Sequence, residues 1–537
     1  MNTDQIGFTP RDALWQSLQQ DAQGSQQDWD LVVVGGGIIG AGILREAARR
    51  GLKTLLVEQR DYAWGTSSRS SKMVHGGLRY ISHGDIKLTR DSLRERERLL
   101  REAPGLIDRM GYHFTLRKGQ FPGRIAFSMV LWLYDKLAGI KDHRYFTKAS
   151  FEKHYGGVSV DGVTGAMYYT DTVTDDARLV LRVLQEAIAA GGAAINYACA
   201  TSLIKHQGHV AGVLLQNSES GAQLEVRSKA VINATGAWAD RLRNEVNPEK
   251  RIRPLRGSHL VLPRQKLPVN DSLSLLHPLD KRPVFIFPWE GATVVGTTDL
   301  DHQDDVDQEA SISAQEVYYL LGIVQSMFPD HHITQDDIIS TWSGVRPVIG
   351  SEKSTDPSKE RRDHAVWVDD GLVTVSGGKL TTFRLIALDA LAAAEPALGR
   401  VSSREATDTI FQMPSITPGQ LDTIDKQWAQ RLIGRYGNHA KTLLNEAVVE
   451  ERQPIGDTQF CLAECRWAAR HEAVLHLDDL LLRRTRLGSL LEKGGESLFP
   501  ALQAICATEL HWDNDRWQAE EARYREIWLK HYYLPTV

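Results

Sequence analysis

The hydrophobic pattern along this chain changes period several times, and its first change is the most informative. Residues 31–34 form a short unbroken apolar run, as expected of a strand buried on both faces. From 38 to 50 the apolar positions fall at helical spacing, and 52–57 is a second apolar strand. Residues 82–102 are dense in Arg and Glu, with Leu93, Leu99 and Leu100 on one stripe, and predict a helix with a solvated charged face. Residues 171–190 predict a capped helix, with strands near 194–197, 210–216 and 229–235. Alternation across 282–298 predicts an antiparallel sheet, and 372–376 a last buried strand entering Gly377, Gly378 and a helix from about Leu380. Beyond about residue 400, Leu, Arg, Glu and Trp recur at helical spacing with few strand signals, which predicts a separate helical domain.

Glycines sit where the first period switches. Gly35, Gly37 and Gly40 form G-x-G-x-x-G between the strand and the helix beginning at Ile38, and Glu58 ends the second strand, followed by Gln59. The first glycine permits the tight turn, the second lets a pyrophosphate approach the backbone, and the third lets helix and strand pack closely. The helix N-terminus offers unpaired N–H groups to phosphate, and Glu58 is placed to accept from a ribose hydroxyl. A dinucleotide is therefore expected here. The late return of apolar strands around an antiparallel segment splits the nucleotide domain, which favours FAD, a cofactor gripped along its length by distant segments. The expected fold class is α/β: a discontinuous Rossmann-like FAD-binding domain, an inserted antiparallel-sheet substrate domain and a C-terminal all-helical domain. The expected boundaries are a polar N-terminal extension at 1–28, FAD-binding segments at 29–80, 170–255 and 340–395, substrate or cap segments at 81–169 and 256–339, and the helical domain at 400–537.

Composition narrows the classes. At 537 residues, with 42% hydrophobic and 24% charged, the chain has the make-up of a soluble globular protein. A net charge of −5 gives no reason to expect nucleic acid. Four cysteines are too few for a disulfide scaffold, and Cys461 and Cys465, one helical turn apart, fit helix packing better than a metal site. Residues 1–28 lack the marks of a secretory signal or transit peptide, and no run reaches the roughly 18 apolar residues of a membrane span. A cytoplasmic location is expected.

Residues 66–80 add a hydroxyl-rich loop with two glycines, able to cradle a pyrophosphate and ribityl chain and to aim His75, Arg79 and Tyr80 into a pocket. With the opening motif, this loop resembles that of the FAD-dependent glycerol-3-phosphate dehydrogenase family, the aerobic, respiratory type. The resemblance continues at 174–180, 233–238, 256–263, 287–299, 343–347, 377–384 and 476–488. It departs at Ile39, a position often Asn in relatives, and in the N-terminal extension, which has no assigned counterpart. The resemblance implies a fold like that of the glycine and D-amino-acid oxidase group. It also implies oxidation of sn-glycerol 3-phosphate to dihydroxyacetone phosphate, with FAD reduced and the electrons passed to a membrane quinone. The alternative is an oxidase passing them to oxygen.

On that reading Arg79, Arg346 and Lys379, each beside a glycine or turn in a matched block, hold the substrate phosphate with Tyr80 as hydroxyl partner, since Arg and Lys suit a dianion. Arg346 also suits stabilising a developing alkoxide. A histidine suits removal of the C2 hydroxyl proton; His259 is the preferred base and substrate contact, and His75 the alternative, orienting the flavin. Gly35, Gly37, Ile38, Gly40, Glu58 and Gln59 serve the ADP half. Thr66, Ser67, Ser71, His75, Gly76 and Gly77 serve the pyrophosphate and ribityl. By resemblance Ala200, Gly236, Gly378, Lys379 and Leu380 complete the cofactor contacts.

Residues 117–153 carry eight Lys or Arg against three acids around an apolar aromatic run at 125–134. Such a segment can lie on a membrane surface, which would make the protein peripheral to the inner, cytoplasmic membrane, or it can be a buried helix with a basic outer face. The oligomeric state is open, a homodimer included.

Overall fold

The computed structural model describes residues 7–23, 29–82, 84–350, 363–399, 409–421 and 424–535, with the side chains of Arg79 and Ser82 outside the description. The strand Trp29–Val34 is the centre of the first sheet. It pairs in parallel with Thr54–Val57 on one side and Gln223–Asn233 on the other. Leu372–Gly377 and the antiparallel His364–Asp369 extend the sheet beyond Gln223–Asn233, and Ala193–Ile195 closes the opposite edge.

Both faces of this sheet are covered, which is why its central strand reads as continuously apolar. Leu31 and Val33 pack against the helices Ile38–Ala48, Asp176–Ala189 and Phe383–Leu398. Val32 and Val34 face the hairpin Ala198–His206/His209–Asn217 and an N-terminal helix, Arg11–Gln23. That helix revises the reading of 1–28 as a polar extension. Leu14, Trp15 and Leu18 fall on one face and are buried, and Arg11 donates to the Asn196 and Tyr197 carbonyl oxygens at 3.1 and 3.0 Å.

The second sheet is assembled from strands of two separate stretches, Ile107–Arg117 to Val163–Thr174 and Ile252–Pro263 to Ser340–Ile349. It is antiparallel except where Ser272–Leu276 runs parallel to Ile107–Arg117. Two boundaries differ from expectation. Ser340–Ile349 pairs along Ile252–Pro263, with Arg346 opposite Leu255, and so belongs to this sheet rather than to the nucleotide domain. The helix expected from 171 starts at Asp176, because 170–174 ends the strand Val163–Thr174 and Asp175 caps the helix by accepting from the Arg178 N–H. The helix Ile86–Glu102 is also less solvated than its charge suggests. Arg96 is buried against Asp171 at 2.9 Å, and the Glu102 carboxylate accepts from the Ile410 N–H at 2.6 Å.

Beyond residue 409 the described chain is helical, as expected, but it is not an appendage. Arg484 makes a two-pronged contact to Asp61 at 2.7 and 2.8 Å, Arg486 reaches Asp175 and Asp176 at 2.8 and 2.6 Å, and Arg178 grips Glu472 at 2.6 Å. All seven groups are buried. Burial alone would raise the Asp61 pKa, but Arg484 and Arg483 outweigh it and hold the carboxyl below its usual range. The clamp sets the hydroxyl-rich loop against the nucleotide sheet, with Arg486 and Lys72 both donating to the Ser68 carbonyl oxygen.

Candidate functional site

A cavity of about 910 Å³ lies between the two sheets, large for a small-molecule site and suited to an extended ligand. Its first wall is the turn after Trp29–Val34. Gly35 has φ +115° there, and a Cβ on it would stand 2.6 Å from the Ala234 carbonyl oxygen. A Cβ on Gly40 would stand 1.8 Å from the Gly35 carbonyl oxygen, so helix Ile38–Ala48 can seat on the turn only without that atom. Gly37 caps the helix in extended conformation and lines the cavity with Ile38. The Ile38 N–H donates to the Ser67 hydroxyl at 3.0 Å, tying the helix start to the hydroxyl-rich loop.

Glu58 and Gln59 line the same end with Cys199 and Ala200. The Glu58 carboxylate accepts from Gly36 N–H at 2.6 Å and Arg60 N–H at 2.9 Å. Burial raises its pKa while those two donors oppose the rise. A carboxylate has lone pairs for further donors, so the group remains competent toward ribose hydroxyls.

The loop from Trp64 to Tyr80 crosses the cavity. Thr66, Ser67, Ser71, His75, Gly77 and Tyr80 line it. Thr66 donates through its hydroxyl to the Val345 carbonyl oxygen, and the His75 N–H donates to the Thr381 hydroxyl at 3.0 Å. Gly236, Gly377, Gly378, Lys379 and Leu380 enter from the ends of the nucleotide-sheet strands, and the Lys379 ammonium lies 4.2 Å from the centre of the Tyr80 ring. From the second sheet come Thr297, Asp299 and Arg346. Arg346 donates to Asp299 at 3.2 Å and to the Thr297 hydroxyl at 3.4 Å.

Three expected contacts lie off the cavity wall, Gly40 at the helix seat among them. Gly76 is not on the cavity wall; it packs beneath, where a Cβ would meet Leu93 at 2.3 Å, and its N–H donates to the Tyr134 hydroxyl at 3.0 Å. His259, the preferred base, lies behind the wall. It is 1% exposed, stacked on Trp342 at 5.0 Å, with Nε2 2.9 Å from the Ser71 hydroxyl. Burial, then Lys72 and Arg346, push its pKa well below 6.5 and favour the neutral ring. Its strand presents His259 to the cavity side, in one cross-strand row with Gly296 and the wall residue Phe285, but the hydroxyl-rich loop covers it there through Ser71, a relation its own strand does not reveal. Among the described residues, His75 is the histidine on the wall. Arg79 lies in the helix Leu78–Ser82 that follows, with its side chain outside the described positions.

Sequence reasoning missed Trp64, Trp238, Arg282 and Asp299, all on the wall. Asp299 stood inside the matched block 287–299, which was the signal available. An aromatic lobe was missed as well. Tyr112 and Tyr169 stack at 5.3 Å, Phe285 meets Tyr112 edge-on, and Phe114, Phe127 and Val130 continue the surface.

The donor set fits FAD. A glycine turn that tolerates no Cβ, a helix N-terminus, a carboxylate at the second strand and a hydroxyl loop are spread along a single elongated cavity. Comparison with known proteins agrees. The family model described as FAD dependent oxidoreductase matches residues 30–393, and the model for the C-terminal domain of alpha-glycerophosphate oxidase matches 393–517. Glycerol-3-phosphate dehydrogenase 2 of Mycobacterium tuberculosis is 34% identical over 539 residues, covering 97% of this chain and 90% of its own. The aerobic glycerol-3-phosphate dehydrogenase of Bacillus subtilis is 36% identical over 369 residues, 68% of this chain and 66% of its own. The glycerol-3-phosphate dehydrogenase of Bacillus halodurans complexed with FAD superposes with a TM-score of 0.77 at 25% identity, covering 97% of this chain and 98% of its own. The FAD-bound L-alpha-glycerophosphate oxidase of Mycoplasma pneumoniae shares the fold, with a TM-score of 0.57 at 18% identity over 73% of this chain and all of its own.

Proposed function

Because this chain belongs to the FAD-dependent glycerol-3-phosphate dehydrogenase family, we propose that it oxidises sn-glycerol 3-phosphate to dihydroxyacetone phosphate and passes the electrons to a membrane quinone. FAD, when bound, supplies the acceptor for the hydride leaving C2. The chain's own residues do the rest. Arg346 and Lys379, with Arg79 from the adjoining helix, hold the phosphoester dianion, and Asp299 and Thr297 fix the Arg346 fork. His75 accepts the C2 hydroxyl proton as the hydride departs. The Arg346 charge also favours the oxygen as it becomes alkoxide-like. His259 and Trp342 back the loop through Ser71 and keep its hydroxyl aimed. The observation that carries the reading is the meeting of the glycine-cradle wall with a wall holding the Arg346–Asp299 pair.

Helix Arg124–Ala138 supports the quinone as acceptor. One face puts Ala126, Phe127 and Val130 into the aromatic lobe, while Ile125, Met129 and Trp132 are 77, 62 and 57% exposed, next to Phe121 at 84%. Among the described residues no helix is long and apolar enough to cross a membrane. An apolar helix face rimmed by Arg124 and Lys136 instead suits a peripheral seat among anionic headgroups, with the lobe open to an acceptor dissolved in the bilayer. The test compares acceptors with substrate-reduced holoenzyme. A short-chain quinone should reoxidise it much faster than air, and Trp132→Asp should release it from anionic vesicles while leaving the reduction by substrate intact. Rapid peroxide formation in air with no preference for quinone would move the reading to an oxidase.

A further inference from the structure

The reverse face of the second sheet carries a set of metal-ligating side chains away from the cavity. His113 lies on the strand Ile107–Arg117 between Tyr112 and Phe114, both on the cavity wall, so alternation turns its ring to the opposite side. There it is fully buried, boxed by the rings of Phe146 at 4.6 Å, Tyr168 at 5.1 Å and Tyr155 at 5.3 Å. Its Nδ1 is 2.9 Å from the Tyr155 hydroxyl, which also lies 3.3 Å from the Ser272 carbonyl oxygen. The hydroxyl can donate to that carbonyl while accepting from Nδ1–H, which leaves a bare lone pair on Nε2. Nε2 has no hydrogen-bond partner. His154, on the helix Lys148–Tyr155, places its ring 4.7 Å away and its Nε2 3.0 Å from Asp271 Oδ2. A ring nitrogen of each histidine and a carboxylate oxygen of Asp271 fall within 4.8 Å of one another.

We propose that His113, His154 and Asp271 bind a divalent transition ion of the zinc class. Two imidazoles and one carboxylate are a donor set such ions accept, with a fourth position left to water. Calcium and magnesium prefer oxygen donors throughout and fit this set poorly. Bonds of about 2.0–2.2 Å require the donors to draw together by roughly an ångström. His154 and Asp271, 29 and 24% exposed, sit at the open side of the set. The Tyr155 hydroxyl on His113 Nδ1 orients the ring and leaves Nε2 for the ion. The ion would pin helix Lys148–Tyr155 to the sheet, one residue removed from the cavity wall.

The test is equilibrium dialysis of the holoenzyme against zinc with the bound metal counted. Wild type should take up an ion per chain that His154→Ala and Asp271→Asn each weaken by at least about tenfold, since even losing a group that only hydrogen-bonds to a ligand reaches that size. Flavin content and reduction by substrate should not change. Zinc-edge anomalous scattering from wild-type crystals should peak among the three side chains, which keeps the proposal testable if a variant folds badly. Identical isotherms for wild type and both variants, or a peak elsewhere with none here, would overturn it.

Discussion

Exchanging the two histidines for asparagine, one at a time, separates a proton acceptor from a packing residue. A positioned general base contributes about 10²–10⁴-fold, which at 1.36 kcal/mol per decade is about 3–5 kcal/mol of barrier. His75→Asn should therefore slow flavin reduction by at least about a hundredfold. His259 makes a ring stack on Trp342 at 5.0 Å and one hydrogen bond to Ser71 at 2.9 Å. Those interactions are worth about 0.5–1.5 kcal/mol each. His259→Asn should then lower folding stability by about 1–3 kcal/mol and change the reduction rate by no more than about tenfold, the kinetic weight of 1.4 kcal/mol. The assay is anaerobic stopped-flow bleaching of the flavin absorbance at saturating substrate, repeated across pH. Because its pKa is held well below 6.5, His259 cannot produce an ionisation of the rate near neutral pH. An acid limb near neutral pH should therefore survive in His259→Asn. The assignment is wrong if His259→Asn loses a hundredfold or more while His75→Asn runs near the wild-type rate.

Further predictions concern the cradle, the clamp and pH. Gly40→Ala puts a methyl 1.8 Å from the Gly35 carbonyl oxygen, so the helix must retreat from the turn; the purified variant should carry little flavin, read from its absorbance ratio. Asp61→Asn leaves Arg484 buried without its carboxylate partner, while Arg483 keeps Asp478 and Asp479, and should cost about 3–5 kcal/mol in urea unfolding. A similar cost from Asp12→Asn, an exposed partner of Arg11, would discredit the burial argument. His259 binds its proton near pH 6.5 only when unfolded, so the stability it contributes is present above that value and lost as pH falls below it. His259→Asn should flatten that acid-side decline in denaturation midpoints.

The cradle was legible because a backbone turn that excludes a Cβ can only be written with glycine, and the strand and helix around it have distinct periods. The two-sheet arrangement was legible for the same reason of period. What could not be read were relations across the chain. The Asp61–Arg484 clamp joins groups 423 residues apart, and a run of Arg and Asp at 476–488 looks alike whether solvated or buried. Helix Arg11–Gln23 was hidden because only Leu14, Trp15 and Leu18 among its residues mark the buried face. His259 illustrates the limit within the site. Its strand turns it toward the cavity side, but a loop 188 residues earlier covers it through Ser71, which local pattern does not specify.

The account stands on a flavin in the inter-sheet cavity that a three-carbon phosphoester reduces. Anaerobic titration of the yellow holoenzyme addresses it directly. Sn-glycerol 3-phosphate should bleach the flavin with one dihydroxyacetone phosphate formed per flavin reduced, and glycerol should leave the spectrum unchanged. A colourless protein that cannot be reconstituted with FAD, or a flavin that glycerol reduces as readily as its phosphate ester, would contradict it.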